Sequence, residues 1–200
     1  MEIRILNINE LNIEEISKKV SDKRIKRAEK FKYEEDKRRS IAVEYLLNTM
    51  IEEKYPDISV PVDLEYDEHK KPHLYIGKDE IHFSLSHSGD YVACIIADYP
   101  CGIDIEKYSE NRDYHLVAKR ICTDNEMKLI GDRSDFYMLW TLKESALKAV
   151  GLGLALDMKK LEFTHLNESC YVTNIDSVEY KGIVLDAPKG YSLSYVIESN

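Results

Sequence analysis

The sequence predicts an α+β fold made of two similar α+β halves in a pseudo-twofold arrangement, each with antiparallel strands packed on a long helix. Two observations lead to this prediction. The expected elements repeat along the chain, as a strand, short helices, a long helix and then several closely spaced strands. The basic segment Lys26–Phe31 before the first long helix also resembles Val117–Cys122 before the second. A break at Tyr99-Pro100 separates the two series, so we expect domains over 1–100 and 101–200.

In the first half, the long helix is the clearest element. It ends at Tyr55-Pro56, because proline cannot continue a helix. The apolar run Tyr91–Ala97 is typical of a core strand. The expected series is a strand at Ile3–Ile8, short helices through Asn9–Lys30, the long helix Glu35–Glu53, and strands near Asp63–Tyr66, His73–Ile76, Ile81–Ser86 and Tyr91–Ala97.

The second half begins with a strand in which isoleucines alternate with acidic residues, Gly102–Lys107. Its long helix is predicted over Ser134–Val150 and stops at Gly151, a residue common just after helix ends. The remaining expected elements are helices near Arg112–Cys122 and Asp124–Ile130, and strands near Leu161–Thr164, Tyr171–Ile175, Ser177–Leu185 and Tyr191–Ile197.

Composition predicts an ordinary soluble protein of the cytoplasm. Hydrophobic residues make up 44% of the 200 residues and charged residues 32%. A chain of this length buries roughly 70% of its unfolded surface, so it needs no disulfide bonds. The cysteines lack CxxC spacing, which favours free thiols in a reducing compartment; they are Cys94, Cys101, Cys122 and Cys170. No signal peptide and no membrane span are expected, because the first residues are quickly polar and no apolar run is long enough.

Charge is unevenly distributed along the chain. The net charge is −9, yet the segment Lys18–Arg39 contains eleven Lys and Arg against five Asp and Glu. Such a basic segment in an acidic protein is either an anion-binding surface or a solvated helix with salt bridges on its faces. Nucleic acid is not expected as a partner, because the overall acidity opposes binding to a phosphate backbone.

Three carboxylates and one lysine form the strongest candidate site. Asp104 and Glu106 are two apart on a predicted strand, so both side chains leave the same face, roughly 6–7 Å apart along the chain. Glu144 and Lys148 share a helix face with Trp140 at i, i+4 and i+8 spacing. Carboxylates without a thiolate or paired histidine suit Mg²⁺. The alternative is plain surface charge on a strand edge and a helix, with Trp140 in the core.

Two polar turns are candidates for binding phosphate. Ser86, His87 and Ser88 offer several hydrogen-bond donors before a reversal at Gly89-Asp90, although the same residues could simply cap a hairpin turn. The basic turn at Lys71-Pro72 is either one lip of an anion site or a surface turn. A hydrolase triad is not expected, because neighbouring residues on an extended chain point apart and no nucleophile elbow surrounds Ser86.

Four segments together resemble the 4′-phosphopantetheinyl transferase superfamily. They occur in the family's order: Lys71-Pro72, Phe83-Ser84-Leu85-Ser86-His87-Ser88, Gly102-Ile103-Asp104-Ile105-Glu106 and Trp140-Thr141-Leu142-Lys143-Glu144-Ser145-Ala146-Leu147-Lys148. The resemblance runs from about residue 20 to 155, and the length is similar to that of the two-half type that activates nonribosomal peptide synthetase carrier domains. Lys70 departs from the family pattern, which often has glycine there.

The resemblance implies a role for each candidate residue. It makes Asp104, Glu106 and Glu144 the metal ligands, and places coenzyme A contacts in the first half and the metal-binding acids and catalytic helix in the second. The implied coenzyme A contacts are Lys23, Lys26 and Arg39 at the 3′-phosphate, Lys71 with Pro72 near the adenine, Ser86 and His87 at the phosphates, and Lys148 near the pyrophosphate. The implied catalytic residues are Glu144, Asp104, Lys148 and His87.

The implied reaction moves the 4′-phosphopantetheine group from coenzyme A to a serine of an apo acyl or peptidyl carrier protein. It needs Mg²⁺, with Mn²⁺ as a possible substitute, and releases adenosine 3′,5′-bisphosphate. Glu144 or a metal-bound hydroxide would accept the serine proton. A monomer is expected. Two alternatives stay open at this point: a non-catalytic module that binds coenzyme A or a carrier protein, and another Mg²⁺-dependent enzyme that cleaves a pyrophosphate.

Overall fold

A computed structural model describes residues 1–151, 156–167 and 169–199 of the chain. It divides into two compact units, Met1–Asp98 and Tyr99–Asn200, and each unit holds one five-stranded antiparallel sheet and one long helix. The predicted α+β class is therefore confirmed. Within the described residues, no helix combines the length and the hydropathy that a bilayer crossing requires.

The first unit builds its sheet in the order β1-β5-β4-β3-β2, with the long helix α3 packed on β5, β4 and β1. Its elements are β1 (Glu2–Asn7), α1 (Ile13–Ile16), α2 (Asp22–Ala28), α3 (Glu34–Lys54), β2 (Glu65–Tyr66), β3 (Pro72–Ile76), β4 (Asp79–Ser88) and β5 (Tyr91–Ala97), with short 3₁₀ turns at Ile8–Glu10 and Ser17–Lys19. The strand β4 is longer than predicted, since His87 and Ser88 still pair with β5 before the reversal at Gly89.

Two buried polar residues of α3 hold the basic helix α2 in place. Glu44 accepts hydrogen bonds from the Ser21 N–H and the Arg24 Nε, both at 2.7 Å. One turn later, the Asn48 side chain donates to the Lys19 carbonyl at 2.8 Å and accepts from the Val62 N–H at 3.1 Å. Because buried polar groups are costly unless they are paired, these bonds fix the entry to α2 and the chain before β2.

The second unit has the sheet order β6-β10-β9-β8-β7, and its long helix α6 lies across β6, β10 and β9. Its elements are β6 (Cys101–Lys107), α4 (Tyr114–Ile121), α5 (Asp124–Met127), α6 (Arg133–Val150), β7 (Thr164–Asn167), β8 (Cys170–Ile175), β9 (Val178–Leu185) and β10 (Tyr191–Glu198), with a 3₁₀ turn at Met158–Lys160. An Asp132 capping box begins α6, and Gly151 at φ +85° ends it.

One predicted strand in this unit is wrong. The strand expected over Leu161–Thr164 begins only at Thr164. The buried side chains of Leu161 and Phe163 do alternate, but they anchor an irregular segment in the core beside Met158. An alternating pattern indicates that every second side chain is buried, and here the buried side chains come from a loop rather than from a strand.

Candidate active site

The strand β6 presents its two acidic residues beneath the helix α6. Gly102, Asp104 and Glu106 follow the period of two and share one face of the strand. Gly102 allows the contact with α6, because a Cβ at this position would lie 1.9 Å from the Ser145 carbonyl oxygen and 2.9 Å from the Lys148 Cβ. The helix α6 therefore lies directly on β6 at Gly102, two residues before Asp104.

Lys148 joins the helix to the strand through its ammonium group. Its Nζ donates to Asp104 Oδ1 at 2.7 Å and to the Ile103 carbonyl at 2.9 Å. The Asp104 side chain is almost fully buried, whereas that of Lys148 is part exposed. On the sheet side of the helix, the Ser145 hydroxyl donates to the Ser194 carbonyl of β10 at 2.9 Å. These bonds fix both the height and the rotation of α6 above the acids.

Glu144 lies within electrostatic reach of the same residues. Burial raises the pKa of its carboxyl group above the ordinary value, and the charge of Asp104 raises it further. Lys148 opposes this shift, and Glu106 adds to it. The structure thus brings together all four residues that the sequence singled out here. Mutual repulsion among three carboxylates makes the place favourable for a cation.

The donor set of this place suits a hard divalent ion. All three predicted ligands are carboxylates, which Mg²⁺ and Mn²⁺ accept readily, and no sulfur ligand is among them. Across residues 1–151, 156–167 and 169–199, no three His, Cys, Asp or Glu side chains are arranged to hold a metal ion as they stand. The assignment of Asp104, Glu106 and Glu144 as ligands therefore stays a prediction.

Lys143, next to Glu144 in the chain, has a different environment from Lys148. It is fully buried, and its Nζ lies 2.8 Å from Glu126 Oε2. It also donates to the carbonyls of Met158 and Leu161 at 2.9 and 2.7 Å, so all three of its N–H groups are used. No sequence pattern indicated this pair, because Glu126 comes from the separate short helix α5.

In the first unit, Arg39 supports the turn that follows the predicted phosphate-binding residues. Its guanidinium donates to the Gly89 carbonyl at 2.6 Å and to the Asp36 carboxylate. Ser86 is buried on β4, and His87 beside it is exposed. Arg39 thus lies beside the turn that follows Ser86 and His87, and part of its guanidinium already serves that turn.

The other predicted cations lie around a cleft between α2 and the segment that leads into β2. Lys23 and Lys26 line this cleft, whose volume is about 450 Å³. The Lys23 ammonium lies 5.8 Å from the centre of the Tyr66 ring, a cation–π contact. Tyr66 pairs with Pro72 between β2 and β3, which brings the Lys71-Pro72 turn next to the cleft. Tyr66 was missed from the sequence; its position five residues before Lys71 of the basic turn was the available signal.

Trp140 is not part of the acidic site. Its ring lies 5.9 Å from that of Phe136 in an aromatic cluster, and the Arg112 guanidinium lies 5.4 Å from its centre. Trp140, although it shares a helix face with Glu144, thus belongs to the packing of α4 against α6.

Two family profiles match consecutive parts of the chain. The first is described as "4′-phosphopantetheinyl transferase, N-terminal" and matches residues 9–99. The second, described as "4′-phosphopantetheinyl transferase superfamily", matches residues 100–195. The two matches meet at the division between the two structural units.

Individual relatives give the same family. A 4′-phosphopantetheinyl transferase of Bacillus subtilis is 29% identical over 81% of this chain and 80% of its own length. The 4′-phosphopantetheinyl transferase Sfp of Bacillus subtilis strain 168 is 32% identical over 70% of this chain and 63% of its own length. The solved holo-[acyl-carrier-protein] synthase of Thermotoga maritima aligns over 51% of this chain and 64% of its own chain. The identity is 21% and the TM-score is 0.43.

Proposed function

Because the chain belongs to the 4′-phosphopantetheinyl transferase superfamily, we propose that it transfers 4′-phosphopantetheine from coenzyme A to a serine of an apo carrier protein. The observation that carries the proposal is the group formed by Asp104, Glu144 and Lys148, at the contact of β6 with α6. Two carboxylates beside a lysine suit the cleavage of a pyrophosphate, where negative charge grows on the leaving group.

Asp104, Glu106 and Glu144 would hold the metal ion in this proposal. When bound, Mg²⁺ supplies Lewis-acid stabilisation of phosphate oxygens as negative charge develops on them. Lys148 keeps Asp104 oriented through the bond of 2.7 Å. Its part exposure leaves the ammonium able to meet a phosphate oxygen as well. Glu144, whose pKa is raised by burial and by the charge of Asp104, is the proposed general base.

The proposed chemical step exchanges one phosphorus–oxygen bond for another. The serine oxygen of the carrier protein forms a bond to the β-phosphorus of coenzyme A, and the bond from this phosphorus to the bridging oxygen breaks. Glu144 accepts the serine proton, and adenosine 3′,5′-bisphosphate leaves with the bridging oxygen. His87, which is exposed at the end of β4, donates to a phosphate oxygen in this scheme.

The first unit would take up the nucleotide end of coenzyme A. Lys23 and Lys26 at the cleft, with Arg39 beside the Gly89 turn, provide cations for the 3′-phosphate. The Lys71-Pro72 turn, which lies next to the Tyr66 ring through the pairing of β2 with β3, provides a place for the adenine. The buried Ser86 hydroxyl completes the proposed set of phosphate contacts.

We further propose a cytoplasmic monomer that modifies carrier domains of the nonribosomal peptide synthetase type. The match of two profiles to the two units supports the two-half type over a single-half type. The proposed reaction involves no nucleic acid and no membrane, and the net charge of −9 opposes binding to a phosphate backbone.

The test is intact-protein mass spectrometry of an apo peptidyl or acyl carrier protein incubated with this chain, coenzyme A and Mg²⁺. We expect one phosphopantetheinyl group to be added, and no addition with EDTA or with Asp104→Asn. Glu179→Gln, which changes an exposed acid on β9, is the matched control and should stay active. Release of adenosine 3′,5′-bisphosphate without any carrier would indicate a pyrophosphate-cleaving enzyme instead. Coenzyme A binding without turnover on several carriers would indicate a binding module.

A further inference from the structure

His73 on β3 lies between two carboxylates from different elements. Its Nδ1 is 2.6 Å from Glu80 Oε1 on β4, and its Nε2 is 3.3 Å from Asp67 Oδ2 in the hairpin turn between β2 and β3. The imidazole side chain is 21% exposed, and those of Asp67 and Glu80 are 32% and 33% exposed, so all three groups are part buried. The described structure thus connects the turn to the body of the sheet through one ring.

Both bonds exist together only when the ring is protonated. A neutral imidazole has one N–H donor and one acceptor nitrogen, and a carboxylate oxygen opposite that acceptor repels it. An imidazolium donates from both nitrogens and satisfies both acids. The bond to Glu80 raises the pKa of His73 above its ordinary value, burial opposes the shift, and Asp67 adds to it.

Charged and titratable groups from three elements surround this ring in the described part of the chain. Glu80 comes from β4 and Asp67 from the turn, and both favour the charged ring. Lys71 at the end of the turn disfavours it. On β2, Glu65 is the partner opposite His73 in the strand pairing. The remaining neighbour on β3 is the Tyr75 ring, stacked at 6.3 Å.

Asp67 carries the constraint on to the turn itself. Its Oδ1 accepts the Lys71 N–H at 2.8 Å, while its backbone closes the turn through bonds to Lys70 and Lys71 at 3.0 and 3.2 Å. Lys70 holds a left-handed φ of +65°, a conformation that its side chain disfavours. A turn that contains such a residue depends on contacts outside its own backbone, and His73 supplies one of them.

We propose that His73 is a positioning residue which, in its protonated form, holds the Lys71-Pro72 turn in place for the nucleotide end of coenzyme A. The inference rests on the proposed function, which assigns that turn to the adenine. When the ring loses its proton, one of the two bonds is lost. The longer bond, to Asp67, breaks in preference to the bond of 2.6 Å to Glu80. Asp67 then loses its side-chain link to β3, and the turn is held less firmly.

The expected effect is a pH-dependent affinity for coenzyme A. Loss of one net hydrogen bond corresponds to about a two- to tenfold change in an equilibrium constant. We expect the KM for coenzyme A to rise by that factor as the pH passes through the pKa of His73, above the ordinary 6.5. The kcat should show the same pH dependence in the wild type and in His73→Gln, because the turn binds the ground state and the transition state equally.

The experiment combines two measurements on the full chain. An NMR titration of the imidazole carbon-bound protons, assigned with His73→Gln, gives the pKa of this ring. Steady-state transfer to a carrier protein between pH 5.5 and 8.5 gives KM and kcat for the wild type and three variants. His73→Gln should remove the rise in KM, and Asp67→Asn should reduce it while keeping an acceptor for the Lys71 N–H. His69→Gln changes an exposed histidine of the same turn and should keep the rise in full.

A raised titration of His73, together with a rise in KM that disappears only in the His73 and Asp67 variants, supports the proposal. Equal pH profiles of the wild type and His73→Gln overturn it, as does a His73 pKa at or below 6.5. If transfer proceeds normally in either case, the proposed function still holds and only the role of His73 fails. A chain that binds no coenzyme A and modifies no carrier overturns both.

Discussion

Replacement of Gly102 by alanine tests whether the contact of α6 with β6 sets the geometry of the site. The new Cβ would lie 1.9 Å from the Ser145 carbonyl oxygen and 2.7 Å from the Ala149 backbone nitrogen. Both are backbone atoms of α6 and cannot turn away as a side chain could. The helix must therefore move off the strand, and it carries Glu144 and Lys148 with it.

The size of the effect follows from these distances. Nonbonded carbon–oxygen contacts below about 3 Å are strongly repulsive, so relief from 1.9 Å requires a movement on the order of 1 Å. Overpacking of a filled core costs about 1–3 kcal/mol of unfolding free energy. A displacement on the order of 1 Å at a catalytic group costs about a hundredfold in rate. We expect Gly102→Ala to lose about that factor in kcat/KM for the carrier protein while it remains folded.

Gly182→Ala is the matched control, because it also crowds α6 from the same sheet. Its Cβ would meet side-chain atoms, Leu142 Cδ2 at 2.7 Å and Phe163 Cε1 at 3.0 Å, which can shift without moving the helix backbone. Urea unfolding and carrier modification should show a similar loss of stability for both variants, but near-normal activity for Gly182→Ala. Wild-type activity in Gly102→Ala would refute the reasoning. Equal loss of activity in both variants would do so too, because activity would then follow stability alone.

Three further predictions concern single residues. Lys143→Met leaves the buried Glu126 carboxylate without its ammonium partner and should lower the unfolding free energy in urea by about 3 kcal/mol. A loss below about 1 kcal/mol would contradict this prediction, because the buried pair would then add little to stability. Burial raises the pKa of the Cys122 thiol to about 11, so iodoacetamide at pH 8 should leave it unmodified and label the part-exposed Cys170 first. Arg39→Ala should raise the KM for coenzyme A more than it lowers kcat, and the reverse pattern would assign Arg39 to the transition state.

Much of the fold was predictable because local signals and tertiary packing agree. The run Tyr91–Ala97 became a strand with those bounds, and α3 ends just before Tyr55-Pro56 as the proline requires. Prediction and structure differ where buried residues belong to an irregular segment rather than to a strand or helix. Leu161 and Phe163 alternate like strand residues, yet the Leu161 carbonyl accepts a hydrogen bond from Lys143 and so is held by a buried side chain. No local pattern reports a partner that is distant in sequence.

The acidic site shows the same division. The period of a strand placed Asp104 and Glu106 on one face, and the period of a helix placed Glu144 and Lys148 on another, so each pair followed from spacing alone. Their joint assignment to one site came from the family resemblance. The closeness of the two faces depends on Gly102, whose missing side chain was visible in the sequence as a glycine inside a strand. Its effect on the site required the position of α6.

The two lysines of α6 have different environments that the sequence does not distinguish. Lys143 and Lys148 have the same side chain and lie on the same helix, on either side of the residue proposed as base. Lys143 uses all its donors on Glu126 and two carbonyls inside the second unit, whereas the part-exposed Lys148 binds Asp104 beside the proposed metal ligands. Removal of Lys143 therefore acts first on stability, and removal of Lys148 acts first on the charge that meets the substrate. Variants of both lysines, measured for unfolding free energy and for transfer activity, separate a residue that stabilises the helix from one that acts on the substrate.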